Sequence, residues 1–250
     1  LQTPEFDPEK RRTIACLAAL TSTCIAGSFQ TAGATSLSKE LDSAFRRTDE
    51  LSGLLRGAAI SVRDWRNGLN TLFSNIELEE LLASLDFQSL STRTGFAPLG
   101  VRTVRVTSKD GSTKPVHFIP RFFAIGAGRA IIPHGHRGMV SAHLVLRGSL
   151  RLRQYDTLDI SDDYLELKQT VDRIAAEGDL SSIGLKQDNA HWFVAEQDSH
   201  TLDTIVTGLG NKTAPSFEIF NVDMDRAEPT AEGTILAPRL DVQAALRKYG

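Results

Sequence analysis

Cysteine is almost missing from this chain. Its 250 residues hold two, Cys16 and Cys24, and both sit in an apolar stretch near the start. Beyond that stretch the sequence offers no structural disulfide, no thiolate metal ligand and no cysteine nucleophile. An excess of one charge is missing too: 28 Lys and Arg against 31 Asp and Glu leave a net charge of −3. No basic stripe runs along any segment, so nucleic acid is not an expected partner. Long hydrophobic runs are also absent. The candidate from Thr13 to Ala26 is about 14 residues, diluted by Thr and Ser, whereas a helical span needs about 20. The mature chain is therefore expected to have no membrane span. No phosphate-binding or dinucleotide glycine motif follows a strand and opens a helix. No Gly-x-Ser-x-Gly elbow is present. A hydrolase triad of Ser141, His143 and Asp203 can be written down, but a serine two residues from its base on one strand is expected to make poor geometry.

What is there begins with a three-part start. Lys10, Arg11 and Arg12 precede the apolar stretch, and Ala32-Gly33-Ala34 follows it. This pattern fits a secretory signal peptide cleaved after Ala34, which predicts a secreted or periplasmic protein. The expected organisation is a leader at 1–34, a helical extension at 35–95, a β-domain at 96–226 and a tail at 227–250. In the extension, Leu37, Leu41, Ala44, Phe45, Leu51, Leu54 and Leu55 keep a helical spacing, with Ser36 or Ser38 as N-cap. A second helical piece lies near Val62 to Phe73, broken by Asn67-Gly68. A third starts from Asn75 as N-cap and carries Leu78, Leu81, Leu82 and Leu85. Trp65 reads as a packing residue. Such an apolar helix face needs a partner, so the extension either covers a sheet or builds a dimer contact.

From Val101 the period becomes that of strands. Two stretches flank Lys109-Asp110-Gly111, a hairpin-type turn. Further strands are expected at Phe122–Ala127, Arg129–His134, Met139–Arg147, Leu150–Tyr155, Leu180–Leu185, His191–Ala195, Thr201–Thr207 and Phe217–Met224. Short strands at this spacing indicate an all-β sandwich or barrel. Between Asp156 and Gly178 the alternation fades, and Asp156, Asp159, Asp162, Asp163 and Glu166 suggest a solvated acidic loop. Their spacing does not fit an EF-hand calcium loop. A short helix is expected at Asp241–Lys248. Asn211-Lys212-Thr213 matches a glycosylation sequon, a triplet common by chance.

Three of the six histidines, His134, His136 and His143, fall within ten residues. On an extended strand, residues two apart share a face, so His134 and His136 point the same way, as do Ser141 and His143. Neutral imidazole is a common ligand for transition metals, and such a pair can form half of a metal site. Two surface histidines beside a bend at Pro133 and Gly135 are the alternative. Glu196, Asp203 and Arg147 could line a pocket. His117 and His200 have no motif support and are expected to be exposed or packed.

Gly128, five residues, His134-Gly135-His136 and then Gly148 resemble the first motif of the cupin superfamily, G-x5-H-x-H-x3,4-E-x6-G. Ser141 stands at the glutamate position. His191 matches the histidine of the second motif, with Asp188 in place of its glycine and Ala195 in place of its asparagine. The resemblance spans about Phe122 to Thr207. It implies a mainly β protein, a cupin-like jelly-roll β-barrel behind the N-terminal helical extension. It implies a divalent transition metal (Fe, Mn or Zn) held by His134, His136 and His191, without the family's acidic ligand. His143 is left as a further ligand, a group that orients substrate, or packing. Three-histidine members of the family, such as thiol and diketone dioxygenases, imply oxygen-dependent oxidation of a small organic substrate. The alternative is a non-catalytic small-ligand binder or sensor. A homodimer is expected by analogy.

Overall fold

The computed structural model describes residues 33–106, 115–210 and 217–250, with side chains from residue 41 onward. The unit Ser36–Gly250 holds the fold, while Leu1–Thr35 lies almost wholly outside the described residues. Also outside them are Cys16, Cys24, the Lys109-Asp110-Gly111 turn, the Asn211 sequon and the leader, apart from Gly33 and Ala34. No helix among the described residues is long and apolar enough to cross a membrane.

Among the described residues four helices come first: α1 (Gly33–Arg56), α2 (Val62–Ser74), α3 (Leu78–Leu85) and α4 (Phe87–Thr94). Ser36 and Ser38, expected as N-caps, lie inside α1. Ser61 and Asp64 close a capping box that starts α2. The break expected at Asn67-Gly68 does not occur. A Cβ on Gly68 would lie 3.0 Å from Leu51 Cδ1 and Cδ2, so this glycine lets α1 pack closely on an unbroken α2. Asn75 ends α2 instead of starting α3: its amide donates to the Thr71 carbonyl at 2.6 Å, satisfying a terminal acceptor, and Glu77 precedes α3.

The strands are β1 (Arg102–Arg105), β2 (Ile119–Ile125), β3 (Ala130–Arg137), β4 (Met139–Arg147), β5 (Ser149–Ile160), β6 (Tyr164–Ala176), β7 (Leu180–Ile183), β8 (Ala190–Ala195), β9 (Ser199–Thr207), β10 (Glu218–Asn221), β11 (Glu228–Pro229) and β12 (Ile235–Pro238). They form two antiparallel sheets, ordered β1-β2-β9-β4-β7 and β10-β3-β8-β5-β6-β12-β11. Strands β2 to β9 alone read 2-9-4-7 and 3-8-5-6, the interleaved order of an eight-stranded jelly roll. The fold is thus mainly β, a jelly roll with helices at its N-terminal side. A last helix, α5 (Val242–Tyr249), stands where a short one was expected, is capped by Asp241, and packs on β3 through Ala245, Tyr249 and Ile132.

Of the two roles open to the extension, it covers a sheet. Trp65, Leu69, Phe73 and Leu81 pack with Phe122, Val140, Ala142, Leu144 and Leu202 of the first sheet's outer face. Its inner-face residues Ile125 and Val145 pack with Leu150, Leu152 and Phe193 of the second sheet. Strand β4 is consequently buried on both faces, all but Arg147.

The acidic loop expected from Asp156 is the outer part of a β5–β6 hairpin, joined in register from Ser149↔Ala176 to Ile160↔Leu165. Register shifts at Gln154/Tyr155 and Thr157/Asp159 interrupt the two-residue period, which is why the alternation fades in sequence. Strand β3 also runs past its expected end at His134 to Arg137, so Gly135 is a strand residue and not a bend. A Cβ there would meet Leu165 Cδ2 at 2.8 Å.

Candidate metal centre

Strands β3 and β8 are neighbours, and His134 and His191 are register partners across them. The two-residue period puts His136 on the same face as His134. The three rings converge, with centroids 4.4 to 5.0 Å apart, and one ring nitrogen of each lies within 4.8 Å of the others. His136 and His191 are each only 3 % exposed, and His134 is half-buried.

Hydrogen bonds decide which nitrogens are available. His134 Nδ1 donates to the Ile132 carbonyl at 2.7 Å, and His136 Nδ1 donates to the Asn189 carbonyl at 2.9 Å. A carbonyl only accepts, so both protons sit on Nδ1 and both Nε2 atoms carry lone pairs. His191 Nε2 lies 3.1 Å from His134 Nε2, while His191 Nδ1 is buried without a hydrogen-bond partner. Two ligand nitrogens about 2.1 Å from one cation would be separated by this distance at an angle of roughly 95°.

Burial keeps the rings neutral. Desolvation pushes the His134 pKa down to about 4 against the raising effect of its bond to Ile132, with His143 adding to the lowering. Desolvation, then the neighbouring histidines, hold His136 and His191 well below the ordinary imidazole value. A metal needs neutral imidazole, and these rings supply it without releasing a proton near pH 7. The donor set of three neutral nitrogens fits a divalent transition metal.

The loop before β8 holds this arrangement. Asn189 is fully buried, and its side-chain oxygen accepts from the His136 backbone N–H at 3.0 Å and from Thr157 Oγ1 at 3.1 Å. Its amide donates to the Gly184 and Leu185 carbonyls. Asp188 takes a positive φ of 53° and accepts from Arg66 of α2 at 2.7 Å and Thr170 at 2.6 Å. The turn at Asp188-Asn189 therefore directs His191 into the barrel. Asn189 and Arg66 carry no sequence signal for this role, because their partners lie 53 and 122 residues away.

Ser141, at the glutamate position, makes a 2.8 Å bond with His143 Nε2. His143 Nδ1 is 2.6 Å from Asp203 Oδ2, and Thr201 Oγ1 donates to Asp203 Oδ1 at 2.6 Å. The poor geometry expected for Ser141, His143 and Asp203 is thus not found: the shared strand face brings serine and imidazole within reach. Ser141 and Asp203 are each 1 % exposed, so the bonded chain ends inside the barrel. His143 stands beside the triad, its ring centroid 5.1 Å from that of His191, with both nitrogens already engaged. The other named residues lie elsewhere. Arg147 binds Glu79 and Glu177, and Glu196 is exposed. His117 bonds Asp49, and His200 packs among Phe87, Phe96 and Phe122.

No protein-family description and no curated protein matches the chain. Among the solved structures it resembles are two described as cupins. One is a cupin superfamily protein from Desulfitobacterium hafniense, 9 % identical, TM-score 0.33, covering 47 % of this chain and 86 % of that one. KdgF from Halomonas sp. is also similar, 18 % identical, TM-score 0.31, covering 43 % and 78 %. An oxalate oxidase is 16 % identical with a TM-score of 0.35, covering 46 % of this chain and 56 % of its own. At these scores and identities the likenesses carry no argument about activity.

Proposed function

We propose that this jelly-roll chain is a metalloprotein that holds one divalent transition metal on His134, His136 and His191. The observation that carries the reading is the pair of facing Nε2 atoms, 3.1 Å apart on neutral, buried rings, one of which lacks any other partner. Imidazole donors favour Fe or Zn over Mn, which prefers oxygen ligands. A bound iron would supply oxygen-dependent oxidation of a small organic substrate, and a zinc would supply Lewis-acid polarisation. The protein's own residues orient and dry the site. The carbonyls of Ile132 and Asn189 fix two rings in the ligating tautomer. Phe193, in contact with His191 at 4.7 Å and His143 at 5.0 Å, forms an apolar wall that keeps water out. The half-buried His134 marks the side from which a small molecule reaches the centre.

A second reading, a small-ligand binder without catalysis, draws on the enclosure of His136 and His191 and on the absent acidic ligand. Elemental analysis of the purified full chain beside His136→Ala separates the two. The metalloprotein reading expects about one transition metal per chain, lost in the variant. A metal-free protein that still takes up its ligand would favour the second. The proposed organisation keeps a leader at 1–34, helices at 35–95, the barrel at 96–226 and a tail at 227–250, with export to the periplasm or outside the cell. An exported protein still beginning at Leu1 would refute the cleavage. The partner is a small molecule. Sedimentation tests the homodimer, which must use a surface other than the helix-covered sheet.

A further inference from the structure

We propose that Asp203 is the counter-charge of the metal centre: it supplies, one residue removed, the negative charge that Ser141 fails to provide at the ligand position. The inference rests on the three-histidine reading above. Asp203 is 1 % exposed, and its two oxygens are held at 2.6 Å by His143 Nδ1 and Thr201 Oγ1. A carboxylate accepts, so His143 carries a proton on Nδ1, and its Nε2 shares a 2.8 Å bond with the Ser141 hydroxyl. Both bonds to Asp203 are donated to it.

The network contains an acid and lacks a fixed cation. Among the described residues the ion-pair partner of Asp203 is His143 alone. Arg121 is its register neighbour on β2 but forms no ion pair with it among those residues. Burying a carboxylate this way is costly unless positive charge lies near. The triad provides that position. The His143 ring packs 5.1 Å from the His191 ring, so the carboxylate stands one imidazole width behind a metal ligand. A dication on three neutral imidazoles keeps a charge of +2. Behind a neutral His143, Asp203 brings the centre as a whole to +1, while the coordination position of the missing glutamate stays free. Asp203 is a positioning and charge-setting residue and touches neither metal nor substrate.

The test uses the full chain, Co(II) as the metal and azide as an anionic probe, both followed in the visible spectrum. Asp203→Asn keeps the shape and removes the charge. It is expected to bind Co(II) on the order of a hundredfold more weakly and azide on the order of tenfold more tightly, the effect of one charge on a dication and on a monoanion about 10 Å away at an effective dielectric constant near 20. Opposite shifts are the signature, because damaged packing weakens metal binding without tightening azide. Asp203→Glu, which restores the charge, is expected to return azide affinity toward the native value. If Asp203→Asn does not fold, Asp203→Ser, a smaller neutral side chain, carries the same expectation. Unchanged or weaker azide binding by a folded neutral variant overturns the proposal and leaves the triad standing. A native protein that takes up no Co(II) overturns both.

Discussion

His134 and His191 face each other at 3.1 Å, and burial disfavours a charge on either ring. This has a consequence for the metal-free protein. The unfolded chain protonates its histidines near pH 6.5, while the folded chain resists until about pH 4 at His134. Between those values the unfolded state binds more protons, so stability is full above pH 6.5 and falls as the pH drops toward 4. Each such histidine lowers the folding equilibrium constant by roughly tenfold per pH unit in that window. Urea unfolding of metal-free protein at pH 7.5 and pH 5 measures it. His134→Gln should flatten the slope, and an unchanged slope would mean that the ring is not held neutral. Part of this site was legible from residues. His134 and His136 follow from a two-residue period, and their glycine-flanked spacing pointed to His191 through the cupin resemblance. Asn189 was not legible: its carbonyl and side chain reach His136 through a loop conformation that no local pattern encodes. The Ser141–His143 bond was misjudged because strand spacing alone does not show how far an imidazole leans along its strand.

At the scale of elements, two glycines of the His motif do different work. Gly128 and Gly148 both have positive φ, 73° and 88°. A Cβ on Gly128 meets nothing within 4 Å, whereas one on Gly148 would lie 2.3 Å from Ser199 Oγ and 2.5 Å from the Asp198 carbonyl. Gly128→Ala should cost only left-handed strain, about 1–2 kcal/mol. Gly148→Ala should cost about 1–3 kcal/mol more, because the β4–β5 turn must move off the chain at Asp198 and Ser199. Denaturant midpoints compare them, and equal losses would contradict the close approach. Strand β4 was read to its exact ends because it is apolar throughout and bounded by Gly138 and Gly148. The β5–β6 hairpin was missed beyond Tyr155 because bulges reset its phase and its outer face is acidic and exposed. Unbroken α2 shows the opposite error. Gly68 looks like a helix breaker in sequence, yet it serves the packing of Leu51.

For the whole molecule, the helices and the jelly roll share one core through the first sheet. Leu69 is completely buried between them. Leu69→Ala should cost about 2–5 kcal/mol and lower the unfolding midpoint of helices and sheet together. Separate transitions by circular dichroism and tryptophan fluorescence would show instead that the helices are an independent layer. The two-layer β architecture was visible in the strand spacing. Which face the helices cover was not, because an apolar stripe fits a sheet and a second copy equally well. Arg66 ties α2 to Asp188, next to the residue that orients His136, so helices, loop and candidate centre form one connected structure. The central claim is that three imidazoles of this structure grip one cation. X-ray absorption on the metal-loaded full chain tests it directly. The account predicts three imidazole nitrogens at about 2.0–2.2 Å, and no such shell in His136→Ala, which loses the metal. A first shell without imidazole scattering, or one unaltered in that variant, would contradict it.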